Sequence, residues 1–234
     1  MPNNAPSKTN EIGPNATPTQ ASSTVWRSRI TGPAAALMLL CYTPAALGAQ
    51  QTTNDSAALG SRALIQRLQA GGLVLACRHA ETDRSRPDVR PIDFADRSKQ
   101  RNITERGRAQ AEALGRDIKA LGIPVGDVFT SPMYRTRESA EYAFGRVVIT
   151  PNLWEGDNHG GQFSPLFYKE VLAGSNRVLM THQGVLSTIP GFRQGSLAEG
   201  DCAALLPGTE PKVTILGLLK PADWQARVAE LRPR

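Results

Sequence analysis

The sequence predicts an α/β domain, a three-layer α/β/α sandwich around a mostly parallel central sheet. Two observations carry this. Between residues 55 and 234, short apolar runs of strand length alternate with longer segments whose apolar residues recur at helical spacing. Three of the runs also end in polar side chains, and ligands bind at the carboxyl edge of open α/β sheets.

The elements follow in order. Residues 56–69 place Leu59, Leu64, Ile65 and Leu68 at helical spacing, and Gly71-Gly72 ends that helix. Leu73 to Cys77 is an unbroken apolar run, read as a buried strand that delivers Arg78 and His79. A polar loop follows from Glu81 to Asn102. Thr104 is placed to cap the next helix, with Glu105 at its positive end and Ala111, Leu114, Ile118 and Leu121 as its buried stripe. Gly122 and Pro124 stop it. Asp127 to Thr130 is a second strand. Ser131 and Pro132 then read as N-cap and first residue of a helix. Arg146–Thr150 is a third strand, Pro165–Leu172 a helix, and Arg177–Thr181 a fourth strand ending at His182. Cys202–Leu206 and Val213–Lys220 are later strands, and Pro221–Leu231 is a closing helix that carries Trp224.

The first fifty residues differ in kind. Residues 1–29 open with a stretch rich in Asn, Pro, Ser and Thr that has no apolar period and reads as disordered. Arg27 and Arg29 then precede the apolar run Pro33 to Tyr42, followed by Pro44 and a small-residue stretch from Ala45 to Ala49. Residues 30–49 are therefore expected to be a signal peptide, or else an uncleaved membrane anchor. Cleavage after Gly48 puts Ala46 at the small-residue position. An exported, periplasmic protein is the expectation, with membrane contact only if the segment is retained.

Composition excludes several classes. The net charge is +6 at pH 7, and residues 1–49, with Lys8, Arg27 and Arg29 against Glu11, account for +2 of it. No basic block is interleaved with aromatics, so nucleic acid is not an expected partner. The cysteines, Cys41, Cys77 and Cys202, have no CxxC spacing, which argues against a cysteine zinc site. In an exported protein Cys77 and Cys202 could pair or remain buried thiols, and spacing does not choose.

Arg78-His79, Ser131 with Arg135, and His182 all follow strand ends, so they can converge although they are far apart in the chain. An imidazole with an ordinary pKa of about 6.5 is a good nucleophile near neutral pH. Two guanidiniums can grip a phosphoryl group and neutralise its oxygens. A second histidine can donate to another oxygen. The helix expected at Ser131 could aim its N-terminus at the same anion. Two histidines with Glu155 or Asp157 could instead hold a divalent ion, but the neighbouring arginines would repel it.

Four segments carry a family resemblance. Leu75 to Thr82, with Arg78-His79-Ala80-Glu81, resembles the Arg-His-Gly signature of the histidine phosphatase superfamily, with Ala80 where glycine is commonest. Ile103 to Ala111 resembles the superfamily's Leu-Thr-x-x-Gly-x-x-Gln-Ala helix start. Ser131 to Ala140 resembles its Ser-Pro-Leu-x-Arg segment, and Met180-Thr181-His182-Gln183-Gly184 its second-histidine strand end. The four occur in the superfamily's order across residues 73–190. The C-terminal stretch around Leu197 to Asp201 is more loosely similar to small exported bacterial members.

The resemblance implies a phosphoglycerate mutase-like fold and a metal-independent phosphomonoester hydrolase that needs no cofactor and takes a small phosphorylated substrate. It implies His79 as nucleophile, with Arg78, Arg135 and His182 binding phosphate. The proton-donating acid should fall between Arg135 and His182, which selects Glu155 first and Asp157 second. A phosphoglycerate-type mutase and a non-catalytic phospho-ligand-binding domain are the alternatives. Glu81 and Thr82 are expected to orient the nucleophile loop, Glu199 to be a turn residue, Trp154 and Trp224 to be packing anchors, and Arg137 and His159 to face solvent.

Overall fold

Alternation along the strands explains why this sheet is covered on both faces. In the central strand Leu75 and Cys77 enter one apolar cluster, while Val74 and Ala76 enter another on the opposite side. The same division holds for Val178 and Met180 against Leu179, and for Cys202 and Ala204 against Ala203 and Leu205. A continuous apolar run is what a strand buried on both faces requires.

The computed structural model describes residues 58–156, 164–209 and 212–232. Its strands are β1 (Val74–Arg78), β2 (Val125–Thr130), β3 (Val148–Ile149), β4 (Asn176–Thr181), β5 (Cys202–Pro207) and β6 (Val213–Leu219). Its helices are α1 (Ser61–Ala70), α2 (Glu105–Ala120), α3 (Tyr134–Phe144), α4 (Gln183–Leu186) and α5 (Pro221–Ala229). The sheet order is β3-β2-β4-β1-β5-β6. The pairs from β3 to β1 are parallel, and β5 and β6 add antiparallel strands at one side. This is the expected α/β class with a mostly parallel sheet.

The helical layers are unequal. Leu64 and Leu68 of α1, Leu114 and Ile118 of α2, Ala140 of α3 and Trp224 of α5 all pack on one face. The other face is covered by α4 and by irregular segments that contribute Leu153, Phe167, Ile189 and Leu197. Each fully buried side chain of this size contributes about 1.5–3 kcal/mol.

Register brings the strand ends together. Arg78 pairs with Thr181, and Thr130 with Met180, so β1, β4 and β2 end at one level. The ladder continues a step further, with His79 N–H donating to the Thr181 carbonyl and Ser131 N–H to that of Met180. Because β5 runs antiparallel, with Cys202 opposite Cys77, the residues that precede it arrive at the same edge. The Arg78 amide bonds the Asp201 carbonyl, and the Gly200 amide bonds the His79 carbonyl. Gly200 has φ +90°, and a Cβ there would run into the Gln110 side chain.

Local differences from the sequence reading have identifiable causes. α1 starts at Ser61, since the Leu59 amide bonds the Leu216 carbonyl and extends the sheet edge. α3 starts at Tyr134 with Met133 as N-cap, so Ser131 is not the cap. Its hydroxyl accepts from the Met133 amide and faces His182. The expected helix at Pro165–Leu172 is a single 3-10 turn, Pro165–Phe167, capped by Ser164. The expected cap at Thr104 is present, its hydroxyl accepting from the Gly107 amide at 2.9 Å. Cys77 and Cys202 form a disulfide between β1 and β5. Residues 1–49, Asp157 and His159 lie outside the described residues. Among the described residues no helix is long and apolar enough to cross a membrane.

Candidate active site

β1 ends in Arg78 and hands the chain to His79, whose side chain is buried. His79 Nδ1 lies 2.9 Å from the Ala80 carbonyl. A carbonyl can only accept, so Nδ1 carries the proton and Nε2 keeps its lone pair. Burial holds the His79 pKa well below its ordinary value, and the positive charges of Arg135, Arg101 and Arg78 act in the same direction. The ring is therefore neutral and nucleophilic at pH 7.

The loop behind His79 is fastened at three successive amides. Ala80 N–H donates to Ser139 Oγ on α3, Glu81 N–H to Gln110 Oε1 on α2, and Thr82 N–H to Glu199 Oε2, at 2.9, 3.0 and 3.1 Å. Gly107 permits the closest approach, for a Cβ there would sit 2.2 Å from the Glu81 carbonyl oxygen. Glu81 also pairs with Arg106. The expectation that Glu81 and Thr82 orient this loop agrees with these contacts.

His182 follows β4 and is also buried. Its Nε2 is 2.8 Å from Ser131 Oγ. That oxygen also accepts from Met133 N–H; with its own proton given to His182 Nε2, Nδ1 bears the ring hydrogen. Nδ1 has no hydrogen-bond partner among the described residues. The two imidazoles meet edge to face with centroids 5.6 Å apart. Burial again lowers the His182 pKa well below its ordinary value, followed by Arg135, His79, Arg101 and Arg78.

Arg135, in the first turn of α3, is 2% exposed. Its Nη1 is 3.2 Å from each Asp88 oxygen, and its Nη2 is 3.8 Å from Glu155 Oε1. Arg78 donates to the Leu197 carbonyl at 2.9 Å and lies 3.6 Å from Glu199. The Nε atoms of both arginines have no partner among the described residues. Burial lowers both pKa values from the ordinary arginine value, with nearby carboxylates acting oppositely. Glu155 Oε2 accepts from Gly184 N–H at 3.2 Å, just after His182. All five residues singled out by sequence, Arg78, His79, Arg135, Glu155 and His182, are thus connected at one edge of the sheet.

Sequence reading missed Arg101, Asp88 and Glu199. Arg101 lies in the long polar loop, where no period distinguishes it, yet its charge acts on His79, His182, Arg78 and Arg135. Glu199 is more than a turn residue. Its carboxylate accepts from Thr82, Arg84 and Arg101 and faces Arg78. Only pairing between distant segments reveals this. Trp224 is a core residue and Trp154 packs on Phe94, as expected, whereas Arg137, expected to face solvent, is only partly exposed, its guanidinium stacked on Tyr134. Among the described residues no three His, Cys, Asp or Glu side chains are grouped to hold a metal ion.

A neutral imidazole with an open Nε2, opposite a second imidazole and among guanidiniums, can form a bond to a bound phosphorus atom. Solved structures similar to the chain include the protein histidine phosphatase SixA complexed with tungstate, at 14% identity and TM-score 0.46 over 64% of this chain and 98% of that one. Another is a phosphoserine phosphatase mutant from Entamoeba histolytica in complex with phosphoserine, at 13% identity and TM-score 0.43 over 64% and 98%. A third is a putative phosphohistidine phosphatase SixA from Agrobacterium tumefaciens, at 16% identity and TM-score 0.43 over 64% and 99%. No curated protein matches the chain. Residues 74–164, from the strand that ends in Arg78 to beyond Glu155, match the family model of the histidine phosphatase superfamily, branch 1.

Proposed function

We propose that the protein is a phosphomonoester hydrolase that works through a phosphohistidine on His79. The observation that carries this reading is the bond from His79 Nδ1–H to the Ala80 carbonyl, which leaves Nε2 as the open, neutral nitrogen.

Arg78, Arg101, Arg135 and the Nδ1–H of His182 hold the three non-bridging oxygens of the bound phosphoryl group. Nε2 of His79 attacks phosphorus in line as the bond to the ester oxygen breaks. Glu155, acting as the general acid, gives a proton to the departing oxygen, so the first product leaves as an alcohol. Glu155, now a carboxylate, then takes a proton from a water molecule that attacks the phosphohistidine. Inorganic phosphate leaves and His79 is restored.

The test is hydrolysis of an aryl phosphate by the purified protein and by His79→Ala, combined with acid quenching to trap labelled enzyme. Turnover with an acid-labile, base-stable label that is absent from His79→Ala supports the reading. Activity that survives in His79→Ala would overturn it.

We also propose that the domain is exported. A cystine joining neighbouring strands suits an oxidising compartment, where such bonds persist. Fractionation of cells that make the full chain, with mass measurement under non-reducing conditions, checks this.

A further inference from the structure

A cleft of about 380 Å³ is lined by Arg84, Pro87, Asp88, Arg90 and Arg101, and it joins the candidate site through Asp88, which pairs with Arg135. The catalytic scheme uses only Arg101 from this set. Three of the five lining residues are arginines, and the one acid is already engaged. Asp88 presents both oxygens to Arg135 Nη1 at 3.2 Å and accepts the Arg101 amide at 2.8 Å.

The other nearby carboxylate is shared too widely to neutralise the arginines. Glu199 lies 3.0 Å from Arg84, 3.3 Å from Arg101 and 3.6 Å from Arg78, one negative charge against three positive ones. Arg90 has no ion pair or side-chain hydrogen bond among the described residues. The lining segment is held in place, with Val89 N–H donating to the Lys99 carbonyl and Ser85 to Asp83. The planar guanidinium fork loses less freedom per hydrogen bond formed to an oxyanion than a flexible ammonium does.

We infer that this cleft is a subsite for a second oxyanion carried by the same small substrate, a phosphate or a carboxylate, held by Arg84 and Arg90. The inference rests on the phosphatase reading above and names its substrate class: phosphomonoesters with a second anionic group a few bonds from the reacting phosphorus. Arg101 borders both the cleft and the histidines, so it sets the two groups at neighbouring positions. Binding energy gathered at the remote group is available to orient the reacting one.

Two substrate pairs separate the sources of the second charge. Glucose 1,6-bisphosphate against glucose 6-phosphate tests a second phosphate, and phosphoglycolate against ethyl phosphate tests a carboxylate. The expected result is a kcat/KM preference of about tenfold or more for the doubly anionic member of at least one pair, the size of one or two charge-assisted contacts. The pair that shows it identifies the group. The preference should collapse toward one in Arg84→Gln/Arg90→Gln and partly return in Arg84→Lys/Arg90→Lys. Calorimetric binding of the same four compounds to His79→Ala reads the cleft without turnover, so it decides the subsite even if the phosphatase reading fails. Equal affinity within both pairs, or a preference that persists in the double glutamine variant, would overturn the inference.

Discussion

The hydroxyl of Ser131 stands 2.8 Å from Nε2 of His182 and anchors that buried ring. Ser131 is itself held by Met133 N–H and by the Thr136 hydroxyl, so the chain's turn from β2 into α3 orients the residue that follows β4. Ser131→Ala should leave a buried imidazole nitrogen without a partner. The expected cost is about 1–3 kcal/mol of stability, with up to about a tenfold fall in kcat/KM. Urea unfolding and steady-state kinetics on one protein preparation check both. An unchanged KM and kcat would refute the role given to this pair.

The two buried histidines should also make the fold acid-sensitive. Both pKa values lie well below 6.5 in the folded protein, chiefly through burial, while an unfolded chain protonates near 6.5. Between those values the unfolded state binds more protons, so stability is full above about pH 6.5 and declines as pH falls below it. Unfolding midpoints measured from pH 8 to pH 5 should show this decline. His182→Gln should flatten it relative to wild type.

Gly107 is expected to tolerate no side chain. Its Cβ would sit 2.2 Å from the Glu81 carbonyl oxygen, a backbone atom of the nucleophile loop. Gly107→Ala should therefore push that loop and cost about 1–3 kcal/mol. Catalysis should suffer beyond the stability loss, because a displaced loop moves His79. A thermal melt paired with aryl phosphate kinetics separates the two effects.

Glu199 should behave as an organising residue. Its side chain is only 10% exposed and meets Thr82, Arg78, Arg84 and Arg101. Glu199→Ala leaves partly buried guanidiniums without their carboxylate, so a loss of about 3 kcal/mol is expected, with a higher KM for phosphoesters. Glu199→Gln, which keeps an oxygen to accept from Thr82, should retain more stability than the alanine variant. If both variants keep wild-type KM, the carboxylate does not position the arginines.

The strands, the helix caps and the residues at strand ends were legible because each depends on neighbours in the chain. Leu73 to Cys77 reads as a buried strand because it is apolar throughout, and Thr104 reads as a cap because its hydroxyl reaches an amide three residues on. Arg78, His79, Arg135 and His182 could be placed at one edge because parallel strands of similar length end together. Ser131 was misread for the same local reason: Ser-Pro is a good helix start unless a distant imidazole claims the hydroxyl.

Contacts across long stretches of chain were not legible. Thr82 and Glu199 are 117 residues apart, Arg135 and Asp88 47 apart, and the half-cystines 125 apart. Arg101, Asp88 and Glu199 carry no period, cap or strand-end position, and a charged loop residue looks the same whether it faces water or a histidine. Propensity and pattern act over a few residues, so they specify elements and the chemistry those elements present. Which distant charge sits beside which imidazole follows from strand order and register, and those are set by the burial of the whole sheet.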